Sequence, residues 1–153
     1  RKGTKADLPG VLNLIKELAL YEKAPQEVTN TLEAMEQDGF GPNAVFGLFV
    51  AEENEKIVGI AIYYTKYSTW KGRCIYLDDL VVTESKRGSG IGKLLFEQGI
   101  KVSKETGANR MEWQGWECNA PARNGYKKFN AELDPEWING KFTKEQLDLY
   151  IVS

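Results

Sequence analysis

The run Ile75–Val82, "IYLDDLVV", is apolar and strand-like, and a helix-like run begins within "SKRGSGIGKLL", Ser85–Leu95. Three glycines alternate between them, Gly88, Gly90 and Gly92, with Lys86, Arg87 and Lys93 around them. The start of a helix leaves several backbone N–H groups without intrahelical partners and carries the positive end of the helix dipole. Glycine lets that backbone lie close against an anion, because no Cβ intrudes. Strand, glycine-rich turn and helix together therefore describe an anion cradle, to which the basic side chains add charge. The competing reading is a flexible surface turn that only begins a helix.

Two familiar phosphate cradles are excluded. The dinucleotide fingerprint requires glycine at 93 when it starts at Gly88, and Lys93 stands there. Its ribose carboxylate would have to be Glu112, which lies beyond a helix and inside a strand. The P-loop requires a hydroxyl residue after Gly-Lys, but Leu94 follows Gly92-Lys93. What fits is Arg-x-x-Gly-x-Gly, formed by Arg87, Gly90 and Gly92.

The remaining elements follow from periodicity. Leu8, Val11, Leu12, Ile15, Leu18 and Ala19 recur at helical spacing over residues 6–21, with Asp7 as a cap and Pro9 in the first turn. A second helix is expected after Thr29, ending at Gly39. The stretch 44–67 reads as a hairpin with a polar tip at Glu53–Glu55, followed by a turn over Trp70–Arg73 and a strand over Cys74–Thr83. A helix is expected over Gly90–Thr106, with Ile91, Leu94, Leu95 and Val102 on one face. "RMEWQGW", Arg110–Trp116, reads as a strand, and "NAPARNGYKKF" as a short helix capped near Asn119. One more strand around Trp137 and a short helix after Thr143 complete the chain. The order predicts one mixed α/β (α+β) domain over 1–153 with a mostly antiparallel sheet. The chain opens abruptly at "RKGTKADLPG" without methionine, so a short preceding segment and part of a first strand are expected to be missing.

Composition narrows the chemistry. The 153 residues carry a formal charge of −2. That argues against nucleic acid as a partner, and no apolar stretch is long enough to span a membrane. Cys74 and Cys118 belong to no CxxC pair, as in a reduced, cytoplasmic protein. There is no histidine. A general base must then be a carboxylate, water, cysteine, tyrosine or lysine, and a zinc site with the usual histidine ligands is excluded, so no metal is expected. Cys118 has no histidine to activate it as a nucleophile, so direct transfer fits better than a covalent cysteine intermediate.

"RGSGIG" after a strand that contains "YLDD" resembles the acetyl-CoA-binding motif of the GNAT acetyltransferases. "LIKELALYE", "DGFG", "YYTKYSTWKGRCIYLDDL" and "NAPARNGYKK" follow the same order as in the diamine (spermidine/spermine) N-acetyltransferase branch, and the likeness weakens after Leu133. The resemblance implies a GNAT fold, acetyl-CoA as cosubstrate, a small-molecule amine as acceptor and a homodimer. It implies that the backbone of Arg87, Gly88, Gly90, Ile91, Gly92 and Lys93 binds the pyrophosphate. It also implies that Cys74–Thr83 and Arg110–Trp116 are parallel and splay apart. Backbone groups near Leu80 and Val82 would then pair with the pantetheine arm like an added strand.

The resemblance places Asn119 on the cofactor arm and Tyr126 at the thioester sulfur, where its phenol can protonate the departing thiolate. Gly125 departs from the aromatic residue frequent at that position. Asp78 stands where relatives carry a glutamate that takes the amine's proton through water. Asp79, Glu22, Tyr21 and Trp70 match a groove for a cationic amine, with Trp70 offering a cation–π contact. Each residue has a structural alternative: a helix cap for Asn119, core packing for Tyr126, a surface pair for the two aspartates, and packing for Glu22, Tyr21 and Trp70. Strand alternation sets Asp78 and Asp79 on opposite faces. The expected activity is acetyl transfer to a polyamine or diamine. Transfer to thialysine, another amino acid or protein lysine is the alternative, and non-catalytic acetyl-CoA binding stands behind both.

Overall fold

The computed structural model describes residues 1–114, 126, 130–135 and 139–152. They fall into two compact units, Arg1–Gln114 and Gly115–Ser153. The first unit holds α1 (Leu8–Tyr21), α2 (Leu32–Phe40), β1 (Gly47–Glu53), β2 (Lys56–Ser68), β3 (Gly72–Val82), α3 (Ile91–Glu105) and β4 (Arg110–Trp113). The architecture is mixed α+β: a four-stranded sheet in the order β1-β2-β3-β4 with helices against it. The β1–β2 and β2–β3 pairs are antiparallel and β3–β4 is parallel. Arg1–Gly3 run along β1, with Val50 N donating to Arg1 O (2.9 Å) and Gly3 N to Leu48 O (2.8 Å).

Alternation along the strands divides the core between two faces. Leu48 and Val50 of β1, Ile60 and Ile62 of β2, and Val81 pack with Leu8, Val11, Leu12 and Leu14 of α1 and Met35 of α2. On the other face a Cβ at Gly59 would lie 3.0 Å from both Ile91 and Leu95, so glycine lets α3 approach β2 closely. Phe96 of α3 meets Trp113 of β4 edge to face at 5.1 Å. The inward residues of α3 are Leu95, Phe96, Gly99 and Val102, whereas Leu94, expected inside, is exposed.

Local chemistry moves several boundaries. Asp7 does not cap α1 with its side chain. Its carboxylate instead accepts from Thr4 N (2.7 Å) and Thr4 Oγ1 (2.9 Å), and from the Arg1 guanidinium at 2.8 and 2.9 Å. The cap of α2 is Thr31, whose Oγ1 accepts from Ala34 N at 3.2 Å, and the helix runs on to Phe40. β3 begins at Gly72, two residues earlier than expected, because Gly72 and Arg73 still pair with Ser68 and Tyr67.

In the second unit Tyr126 is helical, and α4 (Lys144–Leu149) starts at a capping box. There Gln146 N donates to Thr143 Oγ1 (3.2 Å) and Thr143 N to Gln146 Oε1 (2.8 Å). The strand expected around Trp137 and most of the helix expected over 119–129 lie outside the described residues. Among the described residues no helix is long and apolar enough to cross a membrane.

Candidate active site

The glycine turn has the conformation its residues demand. Gly88 and Gly90 lie at φ of 78° and 89°, in the left-handed region that side chains disfavour. Gly90 is the residue before α3, and the helix closes its first backbone bond at Leu94 N, onto Gly90 O (3.1 Å). The N–H groups of Ile91, Gly92 and Lys93 therefore stand at the helix start without intrahelical acceptors. Gly92 has an ordinary φ, and a Cβ there would meet only Val82 Cγ2, at 3.7 Å. Neither backbone strain nor crowding within the chain requires glycine at that position, and the space beside it suits an approaching anion.

The basic side chains are less free than the sequence implies. Lys86 pairs with Glu53, and Lys93 lies 3.7 Å from Glu97. Arg87 Nε donates to Val82 O at 3.2 Å while its guanidinium stands 4.9 Å from the centre of the Tyr21 ring. Exposed ion pairs of this kind contribute little. They hold these cations only weakly, so the attraction for an anion combines the backbone N–H groups with the side-chain charge beside them.

β3 supplies the second half of the site. Its ladder with β4 runs from Cys74–Arg110 to Leu77–Trp113. Among the described residues that ladder ends at Leu77–Trp113, and residues 115 and 116 of the strand expected over Arg110–Trp116 lie outside them. On the other side Tyr63 pairs with Leu77 and Ile62 with Asp79, so Asp78 is the extra residue of a β-bulge. The expectation of opposite faces for the two aspartates assumed an unbroken ladder. The bulge removes that condition, and the charge of Asp78 acts on Asp79.

Burial, then the charges of Asp78 and Glu22, push the Asp79 carboxyl up to about 6. Asp78 is exposed at its surface, yet partial burial raises its carboxyl too. The charge of Asp78 in turn adds to the upward shift of the Tyr64 and Tyr76 phenols, whose rings lie 5.2 Å apart. Glu22, Asp78 and Asp79 thus form one acidic group at the bulge. Tyr64 and Tyr76 lie within the run "YYTKYSTWKGRCIYLDDL", which assigned them no role in the site.

The other candidates divide differently. Tyr21, at the end of α1, meets the glycine turn through Arg87. Trp70 is 88% exposed, in the turn between β2 and β3. Six strand residues, Gly72–Leu77, lie between it and Asp78, roughly 20 Å at ordinary strand rise. One copy of the chain therefore does not bring Trp70 to the acidic group. Tyr126 is half-buried, and burial raises its phenol. Asn119 and Cys118 lie outside the described residues. Among those described, no cluster of side chains could hold a metal ion.

The acetyltransferase (GNAT) family model matches residues 11–131. The chain belongs to the GNAT acetyltransferase family. Thialysine N-epsilon-acetyltransferase of Bos taurus is 35% identical over 140 residues, which is 86% of this chain and 82% of that protein. Spermidine/spermine N(1)-acetyltransferase-like protein 1 of Homo sapiens is 32% identical over 96% of this chain but only 23% of its own length. An aminoglycoside N-acetyltransferase solved in complex with CoA superposes with a TM-score of 0.73 over 93% of this chain and 92% of its own. At 17% identity that is a likeness of fold. This GNAT protein is an N-acetyltransferase acting on amines, related to the spermidine/spermine branch, and enzymes of the fold use acetyl-CoA.

Proposed function

We propose that the chain moves an acetyl group from acetyl-CoA to the primary amine of a small molecule that carries a further positive charge, by direct transfer in a ternary complex. The observation that carries this is the acidic group Glu22, Asp78 and Asp79, set at a bulge where β3 runs on past the described β4 ladder, and in the same unit as an anion-cradling helix start. The names of the relatives favour the side-chain amine of thialysine. The three carboxylates favour a diamine or polyamine as the second reading, because such a substrate presents cations and no carboxylate.

Acetyl-CoA, when bound, supplies an acetyl group activated as a thioester. The N–H groups of Ile91, Gly92 and Lys93 receive its pyrophosphate, together with the backbone of Gly88 and Gly90, and the backbone of Leu80 and Val82 pairs with its arm. Asp79 takes a proton from the bound ammonium, directly or through water, which leaves a neutral amine. Asp78 and Glu22 hold the substrate's remaining positive charge. Transfer forms the C–N bond and breaks the C–S bond. Tyr126 gives its proton to the departing sulfur and recovers one from the amide nitrogen, a role that rests on the motif Asn119–Tyr126. Asp79 replaces Asp78 as the base because it is the more buried of the two and its carboxyl is pushed up to about 6. The match of one family model across residue 114 supports reading 1–153 as a single domain. A cytoplasmic homodimer is part of the same proposal.

A panel of amines with acetyl-CoA and a free-thiol readout tests the reading. Thialysine, lysine, ornithine, putrescine and spermidine should show higher kcat/KM than an uncharged-tail monoamine of equal length, by about tenfold or more for one lost charge contact. Equal turnover of the monoamine, preference for a lysine-containing peptide, or binding of acetyl-CoA without any thiol release would each contradict it.

A further inference from the structure

Outside the acidic group and the glycine turn, α1 touches the segment between β3 and α3 at two points. Glu17 is half-buried, and its Oε1 accepts from Glu84 N at 2.8 Å. Both its carboxylate oxygens accept from Thr83 Oγ1, at 3.1 and 3.0 Å. Four residues on, and so on the same helix face, Tyr21 sets its ring against the Arg87 guanidinium. Thr83 directly follows β3, and Lys86 N to Thr83 O (3.0 Å) and Arg87 N to Glu84 O (3.2 Å) close the short turn that leads to Gly88. One helix face therefore grips this segment at its entry and at its last residue before the glycines.

Placement matters more for this cradle than for a side-chain site. Backbone N–H groups at a helix start cannot rotate singly toward an anion as a lysine can, so their aim is set by where the whole turn stands. We propose that Glu17 is a positioning residue for acetyl-CoA: by holding Thr83 and Glu84 it fixes the entry of the glycine turn, while Tyr21 fixes Arg87. This rests on the reading of Gly88–Lys93 as the cofactor cradle. Glu17 supplies acceptors, not charge, to Thr83 and Glu84. The amide of a glutamine keeps one such oxygen, whereas alanine keeps none.

Calorimetric titration of CoA into the wild type, Glu17→Ala, Glu17→Gln and Thr83→Val, well below each melting temperature, tests the proposal. Steady-state kinetics on the same proteins completes it. Glu17→Ala should raise Kd for CoA and KM for acetyl-CoA by about tenfold, with kcat at saturation and KM for the amine within about twofold. Glu17→Gln should stay within about threefold of wild type, and Thr83→Val should fall between the two. If Glu17→Ala binds CoA like the wild type while melting earlier, the contact only stabilises the fold and the proposal fails. Where Glu17→Ala does not fold, unchanged CoA binding by Thr83→Val overturns it instead. A Glu17→Gln variant as weak as Glu17→Ala also overturns it, because charge and not placement would then be at work. A wild type that binds no CoA overturns the cradle reading together with this one; a wild type that binds it while Glu17→Ala binds equally overturns this one alone.

Discussion

The glycine turn and the acidic bulge flank the same stretch of β3, and they prepare for opposite charges by different means. The turn uses backbone: left-handed φ at Gly88 and Gly90, and open space at Gly92. Its positive character persists although its lysines are paired elsewhere. The bulge uses side chains: Asp78 is the extra residue of the ladder, and its charge and that of Glu22 at the end of α1 both act on Asp79. A backbone site is nearly indifferent to pH, whereas a crowded carboxylate titrates where the enzyme works. The pair should therefore respond differently to substitution and to acid.

The largest contrast is expected in rate. Asp79→Asn should lower kcat/KM near neutral pH by roughly a hundred- to a thousandfold, the range of a positioned base, while Asp78→Asn should cost clearly less. Steady-state assays that rank the two in the reverse order would move the base back to Asp78.

Stability follows with the opposite sign. The Asp79 carboxyl rises from an ordinary 3.8 to about 6, so folding favours its protonated form. Its contribution is fully present below about pH 4 and lost as pH rises through 6; above that, the buried charge costs up to about 3 kcal/mol. Asp79→Asn should therefore melt higher than the wild type at pH 8, with a gap that closes toward pH 4. A variant that melts lower at pH 8 would mean that Asp79 has a stabilising partner.

On the backbone side, Gly92→Glu places a carboxylate where the anion is to sit. It should raise KM for acetyl-CoA about ten- to a hundredfold, yet leave the melting temperature unchanged or slightly higher, since an acidic residue suits the first turn of a helix. Unchanged KM would remove Gly92 from the cradle. The smallest effect belongs to Gly90→Ala, which forces a side chain into φ of 89° and should cost about 1–2 kcal/mol in chemical denaturation. A carboxylate at Gly90 would mix that strain with charge, which is why Gly92 is the cleaner site.

The same contrast explains what could be read in advance. The turn was legible because its causes are local: alternate glycines between a strand and a helix put the expected helix start at Gly90, which is the residue just before α3. The register was not. That Asp78 is the odd residue of a bulge depends on how β2 meets β3, which no window of one strand contains. Nor did any local signal join Glu17 to Thr83, a hydrogen bond across 66 residues. Leu94 and Phe96 show the limit of periodicity, since a small error in helix phase exchanged an exposed residue for a buried one. Thr31 took the cap expected from the Thr29 region because the neighbouring Asn30 side chain accepts from Thr31 N at 2.9 Å and the chain stays extended to that point.

The central claim, that Asp79 and not Asp78 manages the amine's proton, is tested most directly by the pH profile of kcat/KM from pH 5 to 9 for the wild type, Asp78→Asn and Asp79→Asn. A free primary amine titrates near 10.4, so without a base only its small neutral fraction reacts and the rate climbs throughout that range. The wild type should climb through about 6 and then level, as Asp79 ionises and accepts from the bound ammonium. Asp78→Asn should keep this limb but at lower pH, because one like charge beside Asp79 has gone. Asp79→Asn should lose the limb and rise through pH 9, its deficit shrinking as free amine accumulates. A wild-type limb retained in Asp79→Asn, or a deficit constant across the range, would contradict the account.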